Sequence, residues 1–227
     1  MKLIIQKEIV DTFKPIIGVM YVQGADNTKS VEEIGTLLEQ VSLEVKQSFT
    51  QFESPSKHLF IAAWRQAFKQ FGSDPHEYRC SAEALVRRAL KGEKLPRINT
   101  LVDLYNYISL KYVLPVGGEN TDAIQGDLQL AYADGFEEFI RLNGTENEPP
   151  KAGEVVYKDN RGVICRRWNW REAERTKMTE ETKNAIIVID ALPPTEKSLV
   201  EKATQELAGL VQKYCGAEIR TEILTSL

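Results

Sequence analysis

The chain reads as an α+β protein with mixed sheets, and three observations point there. Up to Val113 the apolar residues keep mostly helical spacing; beyond Gly117-Gly118 they change to a period of two; the C-terminal part reads strand, helix, strand. No repeat of roughly 20–50 residues is present, which excludes solenoids and propellers.

The first clear element is the apolar run Ile16–Val22, a buried strand ending at Gly24. Ser30-Val-Glu-Glu33 has the form of a capping box, in which hydroxyl and carboxylate satisfy each other's backbone donors. It opens a helix to about Phe49 whose apolar face is Val31, Ile34, Leu37, Leu38, Val41 and Val45. Ser54-Pro55 opens a second helix with proline in its first position, where no amide donor is needed, and Gly72 closes it. Ala82 to Leu90 forms a third helix, closed by Gly92. Asn99 is the N-cap of a fourth that runs to about Val113 and must end at Leu114-Pro115.

Leu128, Leu130 and Tyr132 then alternate with polar neighbours, and Glu154–Lys158 and Val163–Trp168 flank Asp159-Asn-Arg-Gly162 as a β-hairpin. Asn143–Pro150 is a loop. Asn184–Ala191 is a strand bounded by Pro193-Pro194. A long amphipathic helix from Glu196 to Cys215 follows, with Gly216 just past its end, and Ala217–Leu224 is a last strand.

With 227 residues, 42% of them hydrophobic and 27% charged, the chain can bury a core without staples. Its three cysteines, Cys80, Cys165 and Cys215, form no Cys-x-x-Cys pair, so neither a disulfide framework nor a zinc site is expected, and a cytoplasmic location fits. Neither a signal peptide nor a membrane span is expected, since no apolar run reaches roughly 20 residues. His58 and His76 sit in no catalytic spacing, and dinucleotide, phosphate-loop, serine-elbow and zinc-helix motifs are missing. No metal and no cofactor are expected. The spacing of Asp122, Asp127 and Asp134 does not make a divalent-cation site.

A net charge of −4 gives no reason to expect DNA, yet the charge is uneven. Arg79 to Tyr112 holds seven basic residues against three acidic ones, and Arg161 to Lys177 holds six against two. These are either solvated faces or anion-binding surfaces. On the Asn99 helix, Thr100 and Asp103 fall in the first turn and Asn106 lies one turn on, on nearly the same face as Asp103. Asn106 is then either an exposed residue or an amide that meets a polar ligand. In the hairpin, Trp168, Asn169 and Trp170 stand among Arg166, Arg167, Arg171 and Arg175. Strand alternation sends Arg167 and Asn169 to one face and Arg166, Trp168 and Trp170 to the other. That combination suits base stacking and phosphate pairing, or tryptophans in the core with arginines guarding an edge.

The segment LPRINTLVDLYNYISLKYVLPVGG resembles the helix motif of the editing domain of the bacterial phenylalanyl-tRNA synthetase β subunit, matching at Val102-Asp103, Asn106-Tyr107 and Pro115. RCSAEALVRRALKGEKLPRIN, GEVVY and CRRWNWRE resemble the free-standing relatives of that domain, which carry its tRNA-binding B3 and B4 modules alone. The resemblance implies one editing-type unit over 1–227, with its motif-bearing core at about 79–192 and its helices packed around a single cleft.

It implies that the protein binds aminoacylated tRNA and hydrolyses the ester of a mischarged species in trans, a task of translation fidelity. Asn106 matches the family's pocket asparagine, and Tyr105 stands where a threonine is usual. Asp190 is the acidic residue nearest the family's pocket glutamate. Gly117 occupies the place of the family's histidine, so tyrosine specificity does not carry over. The expected catalytic set is therefore Asn106, Gly117, Gly118 and Asp190, with a positioned water and backbone donors in place of an imidazole. Asn99, Thr100, Asp103, Tyr105, Trp168, Asn169 and Trp170 are the expected substrate contacts. Arg87, Arg88, Arg97, Arg166, Arg167 and Arg171 are the expected tRNA contacts. The alternatives are a tRNA- or RNA-binding module without catalysis, favoured by Gly117, and a binder of small amino-acid-like ligands. The oligomeric state is not set by the sequence.

Overall fold

The strand β2 (Ile16–Gln23) organises the molecule because both of its faces are apolar. Ile17 and Val19 enter one cluster of buried side chains, while Met20 and Val22 enter another. Such a strand must be covered on both sides. The computed structural model describes residues 1–28 and 31–225, and within them β2 lies inside a four-stranded antiparallel sheet of order β3-β8-β2-β9. Its partners are β3 (Val116–Asn120), β8 (Ala185–Ala191) and β9 (Glu218–Thr225).

One face of this sheet carries the helices α2 (Glu32–Ser48), α5 (Thr100–Tyr112) and α6 (Lys197–Cys215). Leu38, Leu104, Ile108, Leu207 and Val211 pack there against Met20, Ile187 and Ile189. The other face meets a five-stranded sheet of order β1-β4-β5-β6-β7, built from Leu3–Ile5, Leu128–Tyr132, Val155–Lys158, Val163–Arg166 and Arg171–Glu172. Its β1–β4 pair is parallel and the rest are antiparallel. The helices α1 (Lys7–Phe13) and α3 (Leu59–Gln70) pack with it through Ile9, Phe13, Trp64 and Phe68. The helix α4 (Ser81–Leu90) completes the α-helices among the described residues, and the α+β class with mixed sheets holds.

Local signals act where expected. Asn99 Oδ1 accepts the Val102 N–H at 3.0 Å and starts α5, and Gly216, at φ 62, ends α6. Three expectations change. The helix α2 begins at Glu32 with Val31 as its cap and no side-chain bond; Ser30, the expected cap, lies outside the described residues. Pro55 opens only a 3-10 turn, Pro55–Lys57, because His58 turns extended (ψ 133) and α3 starts after it. The His58 ring is held within 5.2–5.4 Å of the Phe49, Phe52 and Phe60 rings, and burial lowers its pKa, so it is a packed imidazole. Gly117 and Gly118 lie in the extended strand β3. The hairpin strand stops at Arg166, since Arg167 (φ 48) and Trp168 (φ 65) adopt left-handed backbone, which cancels the expected facing of residues 167–170.

Candidate functional site

That left-handed corner builds the site. Trp168 is buried edge-on to Phe13 at 5.4 Å and Trp64 at 5.0 Å, and the chain turns back behind it. Residues Trp168 to Glu172 thereby all line one cleft, which lies between the two sheets beside the edge strand β3 and encloses about 720 Å³, solvent at its mouth included. Gly117, Gly118 and Glu119 of β3, Ile186, Val188 and Asp190 of β8, and Leu128, Tyr157 and Cys165 of the five-stranded sheet complete its walls.

Asp190 is 1% exposed, and both of its oxygens are engaged: Oδ1 accepts the Tyr157 hydroxyl at 2.7 Å and Oδ2 the Asn169 amide at 3.3 Å. Burial pushes its pKa up to about 6, against the hydrogen bonds that lower it. It positions Tyr157 and Asn169. Glu119 and Glu172 are the carboxylates left over for chemistry. Burial raises Glu119 well above the usual carboxylate range and the Glu172 charge adds to it. Burial also raises Glu172, opposed by a bond from the Gly118 N–H and by Arg171. A Cβ at Gly117 would meet Glu172 Oε1 at 3.4 Å, an ordinary contact, so this carboxylate stands directly beside the glycine. The Gly118 N–H is thereby occupied and is no free oxyanion donor. Cys165, buried beside Glu172, Glu119 and Asp190, is held well above its usual pKa and is not a nucleophile.

Of the residues expected from the sequence, the cleft brings together Gly117, Gly118, Asp190, Trp168, Asn169, Trp170 and Arg171. Asn106 is not among its lining residues, and neither are Asn99, Thr100, Asp103 and Tyr105. The reason is topological: α5 packs on the helical face of the four-stranded sheet, while the cleft lies on the other face. Asn99 spends its side chain on capping and on the Met178 carbonyl, at 3.1 Å. Asp103 accepts from Arg97 Nε at 2.5 Å and from the Ile98 N–H at 3.0 Å. Thr100 is fully buried; Tyr105 is buried in the helical core, and burial, with the nearby cleft groups Glu172, Glu119 and Cys165 adding to it, raises its hydroxyl well above the usual value.

The arginines divide likewise. Arg166 donates from Nε and Nη2 to the buried Glu154, both at 2.9 Å. Arg167 lies 3.6 Å over the Tyr78 ring and 4.5 Å over Trp170, with Nη2 3.6 Å from Glu154. Both are buried, and Arg97 is tied to Asp103, so these three hold the fold together. Arg87 and Arg88 are more exposed, pairing with Glu83 at 2.8 Å and Glu93 at 3.4 Å. With Arg79, Lys91 and Arg171 they line a groove against Trp170, and Trp170 and Arg171 also line the cleft. Sequence reasoning missed Glu119 and Glu172. Glu172 stands in the CRRWNWRE segment, where the arginines and tryptophans drew attention away from it.

Fold and cleft together describe an α+β domain with a carboxylate-lined recess between two sheets. The chain belongs to the B3/4 domain family, whose model matches residues 63–216. It is similar to the crystal structure of an N-terminal fragment of the phenylalanyl-tRNA synthetase β subunit from Pyrococcus horikoshii, with a TM-score of 0.50 and 13% identity. That match covers 96% of this chain and 50% of the fragment, and at this identity it is a likeness of fold. No curated protein matches the sequence. Among the described residues no helix is long and apolar enough to cross a membrane.

Proposed function

We propose that the chain is one editing-type unit that binds aminoacylated tRNA in the cytoplasm and hydrolyses the ester of a mischarged species in trans. The observation that carries this reading is the wall formed by Trp170 and Arg171, which separates an acid-lined cleft from a basic groove. An aminoacylated 3′ end has that polarity, with phosphates on one side and an amino acid on the other. The cleft leaves about 170 Å³ open to water, room for about half a dozen water molecules and so for one small amino-acid moiety.

With no histidine in the cleft, Glu172 is the general base: a raised carboxyl pKa brings it close to neutral pH, where proton transfer is most effective. It takes a proton from water as the water oxygen bonds to the ester carbon. The bond to the ribose oxygen then breaks, and the proton passes to that oxygen. The expected tRNA contacts are reduced to Arg87, Arg88 and Arg171.

A panel of mischarged tRNAs tests this. Glu172→Gln lowers hydrolysis by about 10²–10⁴ with tRNA affinity unchanged, while Arg171→Glu weakens tRNA binding in a salt-dependent way. Asn106→Ala leaves hydrolysis unchanged. If tRNA binds and no ester in the panel is hydrolysed, the deacylase reading fails and a tRNA-binding module without catalysis replaces it.

A further inference from the structure

We infer that Glu119 is the anchor of an ammonium site, so that the cleft accepts ligands presenting a free primary amine and rejects the same ligands once that amine is acylated. The inference rests on the aminoacyl-ester reading and names the group that the cleft grips.

Glu119 is 7% exposed and lines the cleft; its Oε2 is buried without a well-formed hydrogen bond among the described residues, and the one side-chain donor beside it is the Thr176 hydroxyl, itself left without a well-formed bond. An unpaired buried carboxylate oxygen is costly and marks a place for a missing donor. Two further cleft atoms share that state: Asn169 Oδ1, whose amide nitrogen already serves Asp190, and Ser81 Oγ. Among the unpartnered cleft atoms, the donor without acceptor capacity is Trp168 Nε1, and it lies against Asp190. Glu119 Oε2 and Asn169 Oδ1 thus remain acceptors without a well-formed donor. An ammonium group carries three donors and no acceptor, which complements them.

The nearby protein cations do not fill this role. Arg175 is forked onto Asp159 at 2.5 and 3.0 Å, and Arg171 lies exposed over Trp170 at 5.2 Å. A metal ion is the poorer occupant, because no three His, Cys, Asp or Glu side chains converge among the described residues. The apolar wall of Leu128, Ile186 and Val188 beside Trp168 suits the body of an amino acid whose charged end reaches Glu119.

The test titrates the full chain calorimetrically with L-amino acid amides, which lack the carboxylate as an ester does, and with their N-acetyl derivatives. We expect amides of large apolar or aromatic residues to bind, with acetylation weakening them about 30-fold or more, the scale of losing one partner of a buried charged hydrogen bond. Glu119→Gln should weaken the free amide similarly and leave the acetylated one unchanged. Because burial already disfavours the ionised form of Glu119, the neutral amide of similar shape should leave the melting temperature close to that of the wild type. Asn169→Ala should weaken the free amide selectively as well.

Equal binding of acetylated amides, an unchanged affinity in Glu119→Gln, or no binding by any amide overturns the inference. So does stabilisation by magnesium or calcium chloride with no response to amides. A mischarged tRNA whose amino group has been acetylated separates the two readings. If it is hydrolysed as fast as the free form, the ammonium site falls and the ester-hydrolysis reading stands. If amides bind as expected while no ester is hydrolysed, the ammonium site stands and the deacylase falls.

Discussion

Replacing Glu154 by alanine should unfold much of the margin on which this protein stands. Glu154 is 2% exposed and receives Arg166 Nε and Nη2 at 2.9 Å each, the Arg167 N–H at 3.1 Å, and the Arg167 guanidinium at 3.6 Å. The two arginine side chains are only 7% and 5% exposed, so without Glu154 two positive charges stay buried without their counter-ion. Removing one partner from such an arrangement costs about 3–5 kcal/mol. In a chain of this length 1 kcal/mol moves the melting temperature by about 2–4 °C, so the variant should melt about 6–20 °C lower. Glu154→Gln with Arg166→Met removes charge from both sides and should recover much of the loss. Urea and thermal unfolding of the singles and the double measure the coupling, and tRNA binding at low salt is then measured on the folded variants. A loss below about 1 kcal/mol for Glu154→Ala would refute the assignment of this cluster to the core. A folded Arg166→Met protein that has lost tRNA affinity would return Arg166 to the interface.

Two further outcomes follow from the cleft. A methyl at Gly117 meets Glu172 Oε1 at 3.4 Å, an ordinary contact, whereas one at Gly118 meets Met178 Cε at 2.8 Å and Ile187 Cγ1 at 3.0 Å. Gly117→Ala should therefore keep wild-type stability and lower ester hydrolysis, while Gly118→Ala should lose about 1–3 kcal/mol in denaturant unfolding; the reverse pattern would invert the facing given to β3. Asp190, raised from 3.8 to about 6 by burial, holds its proton more tightly in the folded chain than in the unfolded one. The stability it contributes is present below pH 3.8 and is lost as pH rises through about 6, by at most about 3 kcal/mol. Denaturation of wild type and Asp190→Asn across that window should give diverging curves, and parallel curves would show that Asp190 does not titrate there.

The sequence by itself determined what short-range chemistry controls. Asn99 caps α5 because its side chain reaches a backbone donor three residues on, and Gly92 and Gly216 end their helices because left-handed backbone costs glycine little. The apolar runs of β2 and β8 announced strands, and the change from helical to alternating apolar spacing carried the α+β class. Tertiary structure alone decided the site. A tryptophan with φ 65 has no local cause; Phe13 and Trp64 hold it there, and the corner they fix turns Asn169, Trp170 and Glu172 into the cleft. Arg166 and Arg167 look like surface charge until the hairpin brings Glu154 beneath them. Asn106 keeps the family's residue on the family's helix, yet it is not among the residues that line the recess. Glu119 and Glu172 come from different sheets, and their raised proton affinity arises from burial, with the Glu172 charge adding at Glu119. Neither exists until β3 and β7 are side by side, because burial and charge proximity are properties of the folded volume and leave no periodic trace along the chain.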